Sequence, residues 1–206
     1  MIRLAIVGDI GSGKSYVAKQ FGYPVFNADT EVSKIYKKDK KCYKKLKRVL
    51  SNHITTFPVK KSELKKAIVS KRNNLKKIVK IVHPIVRHKM KIFMEKNKNM
   101  KFVILDIPLL LENKINKKKD ILIFVDAKKK EINKKFNKKH IINHKFLRKF
   151  QLPVELKKKK SDFIIKNNFR NNSVKKNVKI ILGKILSNAW SYTGYRNYGI
   201  IYFRKS

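Results

Sequence analysis

Acidic residues are scarce in this chain: 13 Asp and Glu stand against 54 Lys and Arg in 206 residues, a formal net charge of +41. Cysteine is nearly absent; the single Cys42 excludes an internal disulfide and fits a reducing compartment. No apolar stretch approaches the roughly 20 residues that a membrane span needs, and no signal-peptide pattern precedes the first strand. A soluble, cytoplasmic protein with no membrane partner is therefore expected. Glycine is sparse too, with seven residues, of which three fall at positions 8, 11 and 13.

The excess of positive charge points toward nucleic acid, but its distribution argues otherwise. Of the 54 basic residues 46 are Lys and 8 are Arg, and the lysines occur in nearly every segment rather than in one stripe. Asparagine is abundant alongside, as in Asn73-Asn74 and Asn167-Asn168, which is the joint enrichment an AT-rich coding bias produces. With no nucleic-acid module accompanying the charge, solvated lysine faces are the simpler reading, and no specific nucleic-acid partner is expected. Anionic substrates would still be attracted. At this length the chain accommodates one α/β domain with an insertion and not two independent domains.

Against this background the segment Gly8-Asp-Ile-Gly-Ser-Gly-Lys-Ser15 matches the phosphate-binding pattern G-x-x-x-x-G-K-[ST] at every fixed position. An apolar run from Ile2 to Val7 precedes it as a buried strand, and Val17, Ala18 and Phe21 follow at helical spacing. Glycines at 8, 11 and 13 let the backbone turn tightly and aim successive N–H groups inward, where the following helix adds its positive end. Lys14 reaches the β- and γ-phosphates of a nucleotide as a point charge, and the Ser15 hydroxyl can enter a magnesium shell. Ser12 and Tyr16 complete the expected ATP-binding set.

The remaining chain supplies four more strands. Tyr23 to Asp29 is extended, with its polar end where ligands gather in open α/β sheets. Asp29 there can face whatever lies beside the phosphates, or it can cap the helix that starts near Thr30; position alone leaves both roles open. Residues 37–99 read as helix after helix with breaks at 51–60 and near Asn73, a helical insertion. Within it, Pro84 is expected to open a helical turn that places His83 and Arg87 on one face. Phe102–Asp106 is a buried strand ending in a carboxylate, the position of an acid near a nucleotide-bound metal ion. Leu109 to Leu111 suit core or a substrate wall. Ile121–Val125 and Asp162–Ile165 give the last strands, a lysine-rich helix from 128 to 139 lies between them, and Val174–Leu186 closes the domain as an amphipathic helix. Residues 187–206 form an atypical aromatic tail. The expected architecture is an α/β fold of P-loop NTPase type, three layers around a parallel five-stranded sheet, with core 1–36 and 100–186, insertion 37–99 and a lid at about 128–146.

These segments together resemble the dephospho-CoA kinase family. The resemblance rests on the loop at Gly8–Ser15, the segment Gly22-Tyr-Pro-Val-Phe-Asn-Ala-Asp29, the run His83-Pro-Ile-Val-Arg87, the run Pro108-Leu-Leu-Leu-Glu112, and Gln151 to Asn167, in family order over most of the chain. It implies transfer of the ATP γ-phosphoryl group to the ribose 3′-hydroxyl of dephospho-CoA, giving coenzyme A and ADP, with ATP and Mg²⁺ required. It further implies that Asp29 accepts or orients that hydroxyl and that Lys14 stabilises the phosphoryl charge. By the same resemblance Ser15 and Asp106 serve the metal, His83, Arg87, Leu110 and Glu112 lie on the substrate side, and Lys135 and Lys139 stand where the lid carries arginines. Three positions depart from the family pattern. Asn27 replaces an acid, Tyr16 replaces a small hydroxyl residue, and the lid lysines lack the planar bidentate fork of arginine. The alternatives are another P-loop nucleoside or nucleotide kinase, disfavoured by the His83–Arg87 and Pro108–Glu112 runs, and a basic nucleic-acid-binding protein that uses the loop as an NTP switch.

Overall fold

The computed structural model describes residues 1–134 and 151–188. The chain divides into two compact units, one of Met1–Phe26 with the residues from Asn99 onward, the other of Asn27–Lys98.

The first unit is built on a five-stranded parallel sheet with strand order β2-β3-β1-β4-β5. Its strands are β1 (Ile2–Gly8), β2 (Val25–Asn27), β3 (Phe102–Asp106), β4 (Ile121–Asp126) and β5 (Phe163–Lys166). On one face Leu4, Ile6, Phe102, Ile104 and Ile123 are buried against Val17 and Ala18 of α1 (Lys14–Gln20) and against α8 (Asn171–Asn188). That last helix contributes Val174, Val178, Ile181 and Ile185, a spacing of four, three and four that keeps one stripe on the sheet. On the other face Ala5, Val7, Val103 and Leu105 are buried as well. Burial on both faces is the reason these strands read as continuous apolar runs rather than alternating ones.

The register sets the site. Ala5 pairs with Leu105, Gly8 with Val125 and Asp126 with Lys166, so the carboxyl ends of β1, β3, β4 and β5 finish along one edge. Toward the opposite end Arg3 Nη2 donates to Asp120 Oδ2 at 2.8 Å, a buried ion pair holding the start of β1 to the residue before β4.

The second unit is helical: α2 (Ala28–Lys38), α3 (Lys40–Val49), α4 (Lys61–Ser70) and α5 (Arg72–Lys96). Its core joins Ile35, Cys42, Leu46, Ile54, Leu64, Ala67, Ile78 and Val82. The unit begins at Asn27 and takes in α2, because Ile35 packs among these residues. Burial pushes the Cys42 thiol up to about 11, helped by the neighbouring Asp39 carboxylate, and pushes the Tyr36 hydroxyl up to about 12. The expected helix start at Pro84 is corrected: α5 runs uninterrupted for 25 residues with Pro84 in its interior. Proline there gives up one backbone donor, and the apolar positions Ile78, Ile81, Val82, Ile85 and Val86, all packed in or against the unit's core, hold the helix on either side of it.

Two shorter helices, α6 (Lys129–Lys134) and α7 (Val154–Lys159), belong to the first unit. The expected lid is described only to Lys134; Lys135 and Lys139 lie outside the described residues, as does the tail from 189. Among the described residues no helix is long and apolar enough to cross a membrane.

Candidate active site

The loop between β1 and α1 carries the backbone geometry that its glycines predict. Gly13 has φ 88, left-handed, and a Cβ added there would run into the Asn167 side-chain amide. Gly8 has φ 154, and an added Cβ would lie 2.8 Å from both Ser12 Oγ and the Val125 carbonyl oxygen. Only glycine fits at either place. The turn is closed from within: Ser12 N donates to the Asp9 carbonyl at 3.2 Å and Ile10 N to Asp9 Oδ1 at 2.7 Å. Gly13 then accepts from Val17 N at 3.0 Å and so opens α1 directly at the end of the loop. Ser12 is fully buried, with its hydroxyl turned against Gly8, so its contribution to an anion site is its backbone. Gly11 has φ 79, which completes the run of left-handed turns.

Lys14 is half-buried and Ser15 exposed at the start of α1. Lys14 Nζ donates to the Asp9 carbonyl at 2.8 Å and to the Gly8 carbonyl at 3.4 Å. Tyr16 is half-buried and packs against the core that joins the sheet with α1 and α8. Asp106 is buried at the end of β3, the strand beside β1, one residue past the Ala5–Leu105 pair. Ser15 and Asp106 are oxygen donors of the kind Mg²⁺ takes, an ion that fills the rest of its shell with phosphate oxygens and water. The residues present therefore fit that ion.

Two side chains from far along the chain are fixed to the loop. Asn167, buried just past β5, donates from Nδ2 to the Ser12 carbonyl at 2.8 Å. Its backbone N–H donates to the Asp126 carbonyl at 2.7 Å, and its Oδ1 accepts from Phe169 N at 2.9 Å, with Phe169 in a left-handed conformation at φ 61. Lys157 of α7 is buried with Nζ 3.3 Å from the Gly8 carbonyl. Neither residue stood out in the sequence as a loop contact.

The Pro108–Glu112 segment forms a tight turn in which Leu109 takes φ 57. Leu110, a sequence candidate for the substrate side, is buried and packs as core. Glu112 Oε1 accepts from Leu152 N at 2.9 Å and lies 3.6 Å from Lys157 Nζ, tying this turn to the Gln151–Pro153 segment.

The other candidates are in the second unit. Asn27 caps α2 by accepting from Thr30 N at 2.7 Å, so the capping role open to Asp29 falls to its neighbour. Asp29 sits exposed in the first turn of α2, where the helix dipole favours a carboxylate. On α5 the half-buried His83 and exposed Arg87 stand one turn apart. Burial, with the Arg87 charge in support, holds the His83 imidazole below its usual value and keeps it neutral. Among the described residues no cluster of three His, Cys, Asp or Glu side chains forms a metal cage.

The chain is similar to known proteins over most of its length. The family profile described as dephospho-CoA kinase matches residues 2–173. A dephospho-CoA kinase from Wolbachia of Brugia malayi is 31% identical over 189 residues, covering 88% of this chain and 97% of its own. The crystal structure of TT1252 from Thermus thermophilus superposes with a TM-score of 0.69 at 25% identity, covering 94% of this chain and 98% of that one. A dephospho-CoA kinase from Campylobacter jejuni shares the fold, with a TM-score of 0.61 at 20% identity over 89% of this chain and 96% of its own. The chain belongs to the dephospho-CoA kinase family, a family of ATP-dependent kinases.

Proposed function

We propose that this chain transfers the γ-phosphoryl group of ATP to the ribose 3′-hydroxyl of dephospho-CoA, giving coenzyme A and ADP in the cytoplasm. The observation that carries the reading is the match of the dephospho-CoA kinase family over residues 2–173, a span that includes the whole phosphate loop and both flanking elements. In the transfer a bond forms between the 3′-oxygen and the γ-phosphorus as the bond to the β,γ-bridging oxygen breaks. The hydroxyl proton passes to a base and ADP departs with the bridging oxygen.

The residues are assigned as follows. The backbone N–H groups of Gly8, Gly11, Ser12 and Gly13, with the first turn of α1, hold the phosphates. Lys14 neutralises charge on the transferring group, because its ammonium lies at the loop and can turn from the loop carbonyls to phosphate oxygens. Asp29 accepts the hydroxyl proton or orients the hydroxyl; its place in the first turn of α2, with capping done by Asn27, supports that role. Ser15 and Asp106 would hold Mg²⁺, which when bound offsets charge on the β- and γ-phosphates. Arg87 and His83 on α5 serve the anionic acceptor, and the Pro108–Glu112 turn backs the substrate side with Leu110 as its buried support. Tyr16, the residue after the loop, is assigned to the ATP side, and Lys135 and Lys139 are assigned to the lid.

ADP release by the purified protein, with ATP and Mg²⁺, tests the reading when dephospho-CoA is compared with adenosine and common nucleoside monophosphates. Release dependent on dephospho-CoA is expected. Release dependent on another acceptor would replace the substrate and keep the kinase.

A further inference from the structure

The residues 157–160 are four consecutive lysines, and in a chain this rich in lysine all four would ordinarily face water. Lys157 does not. It is 2% exposed, while the preceding Leu156 is 37% exposed, so α7 is turned with a cation inward and a leucine outward. An inversion of the usual order needs a compensating partner set, since an ammonium out of water is costly unless its donors are satisfied. Such a set is present. Nζ donates to Gln151 Oε1 at 3.0 Å and to the Gly8 carbonyl oxygen at 3.3 Å, and the Glu112 carboxylate lies 3.6 Å away as an ion-pair partner. Gln151 and Glu112 fix the ammonium; Gly8 is the first residue of the phosphate loop.

The Gly8 carbonyl has a second neighbour, Lys14 Nζ at 3.4 Å. A lysine that serves the phosphates of ATP must leave that carbonyl, and a buried carbonyl left alone would resist the exchange. We propose that Lys157 is a positioning residue for the phosphate loop: it keeps the Gly8 carbonyl satisfied and turned away from the nucleotide, which lets Lys14 swing to the phosphates. The inference rests on the ATP-dependent kinase reading given above. Glu112 enters it as the counter-charge beside the buried Lys157 ammonium.

The test is ATP binding by calorimetry and steady-state kinetics on the full chain, with Lys157→Met and the double variant Lys157→Met/Glu112→Gln. In the double variant no buried charge is left without its partner, and the amide still accepts from Leu152 N, so thermal stability recovers relative to the single variant. Loss of one hydrogen bond at a buried carbonyl is expected to raise the ATP Kd and KM about tenfold in both variants. In Lys157→Met the KM for dephospho-CoA should stay within about twofold, since uniform damage is what a loosened fold would give. ATP affinity that returns to the wild-type value together with stability in the double variant would overturn the positioning role and leave Lys157 as a fold contact. Equal loss of affinity for ATP and dephospho-CoA in Lys157→Met would overturn it too. A wild-type chain that fails to bind ATP in the same titration would overturn the kinase reading itself.

Discussion

Lys14 Nζ donates to the carbonyl of Asp9 at 2.8 Å, across the loop that Lys14 itself terminates. The side chain is thus folded back over the phosphate loop, within reach of any anion the loop cradles. Lys14→Ala removes the only side-chain cation that the described loop itself carries. ATP-dependent turnover should fall on the order of a thousandfold, measured as kcat/KM by ADP release, because donors aimed at developing charge contribute at this scale. A variant retaining near-normal turnover would contradict the role given to Lys14.

Asp29 is the group assigned to the acceptor hydroxyl, and the substitution Asp29→Asn keeps its size and its place beyond the Asn27 cap. The expected result is a kcat lower by about a hundredfold or more with ATP affinity within about twofold, the pattern of a lost proton acceptor. Calorimetric ATP binding beside steady-state kinetics separates the two quantities. Equal loss of binding and turnover would place Asp29 in nucleotide binding instead.

Cys42 is 1% exposed in the helical unit, and its thiol is pushed up to about 11 by burial and the Asp39 carboxylate. The thiolate is the nucleophile, and almost none is present at neutral pH. A disulfide-exchange reagent should label the native protein very slowly, and in denaturant one thiol per chain should react at the rate of a free cysteine. Fast labelling of the native chain would show that the helical unit opens readily.

His83 has its imidazole held below the ordinary value by burial and by Arg87. The unfolded chain, with an ordinary histidine near pH 6.5, then takes up the proton first as pH falls. The stability contributed by neutral His83 is full above that pH and declines as pH drops through it toward the lower folded value. Denaturant midpoints measured between pH 7.5 and about 5 should fall, and His83→Gln should flatten that slope. An identical slope in the variant would assign the acid sensitivity elsewhere.

Much of this molecule is legible in its sequence because the informative segments are local. Ile2–Val7 and Phe102–Asp106 read as strands since parallel strands buried on both faces are continuous apolar runs, and the loop between Gly8 and Ser15 carries its geometry in its own glycines. The interior position of Pro84 was not legible: the local rule places proline at a helix start, and packing of the flanking apolar residues in the helical unit outweighs it. Asn27 as the cap of α2 was obscured by Asp29, an equally good capping residue two positions on. Lys157 and Asn167 were least legible. They meet loop residues 149 and 155 positions away, and one lysine among 46 has no local mark that it is the buried one.

The most direct measurement of the account is the fate of the γ-phosphoryl group. With γ-labelled ATP, Mg²⁺ and dephospho-CoA, the label should appear on the 3′-oxygen of coenzyme A in amounts equal to the ADP released, and ADP release should stop when dephospho-CoA is omitted. Label recovered as inorganic phosphate, or on a different acceptor while dephospho-CoA remains unchanged, would contradict it.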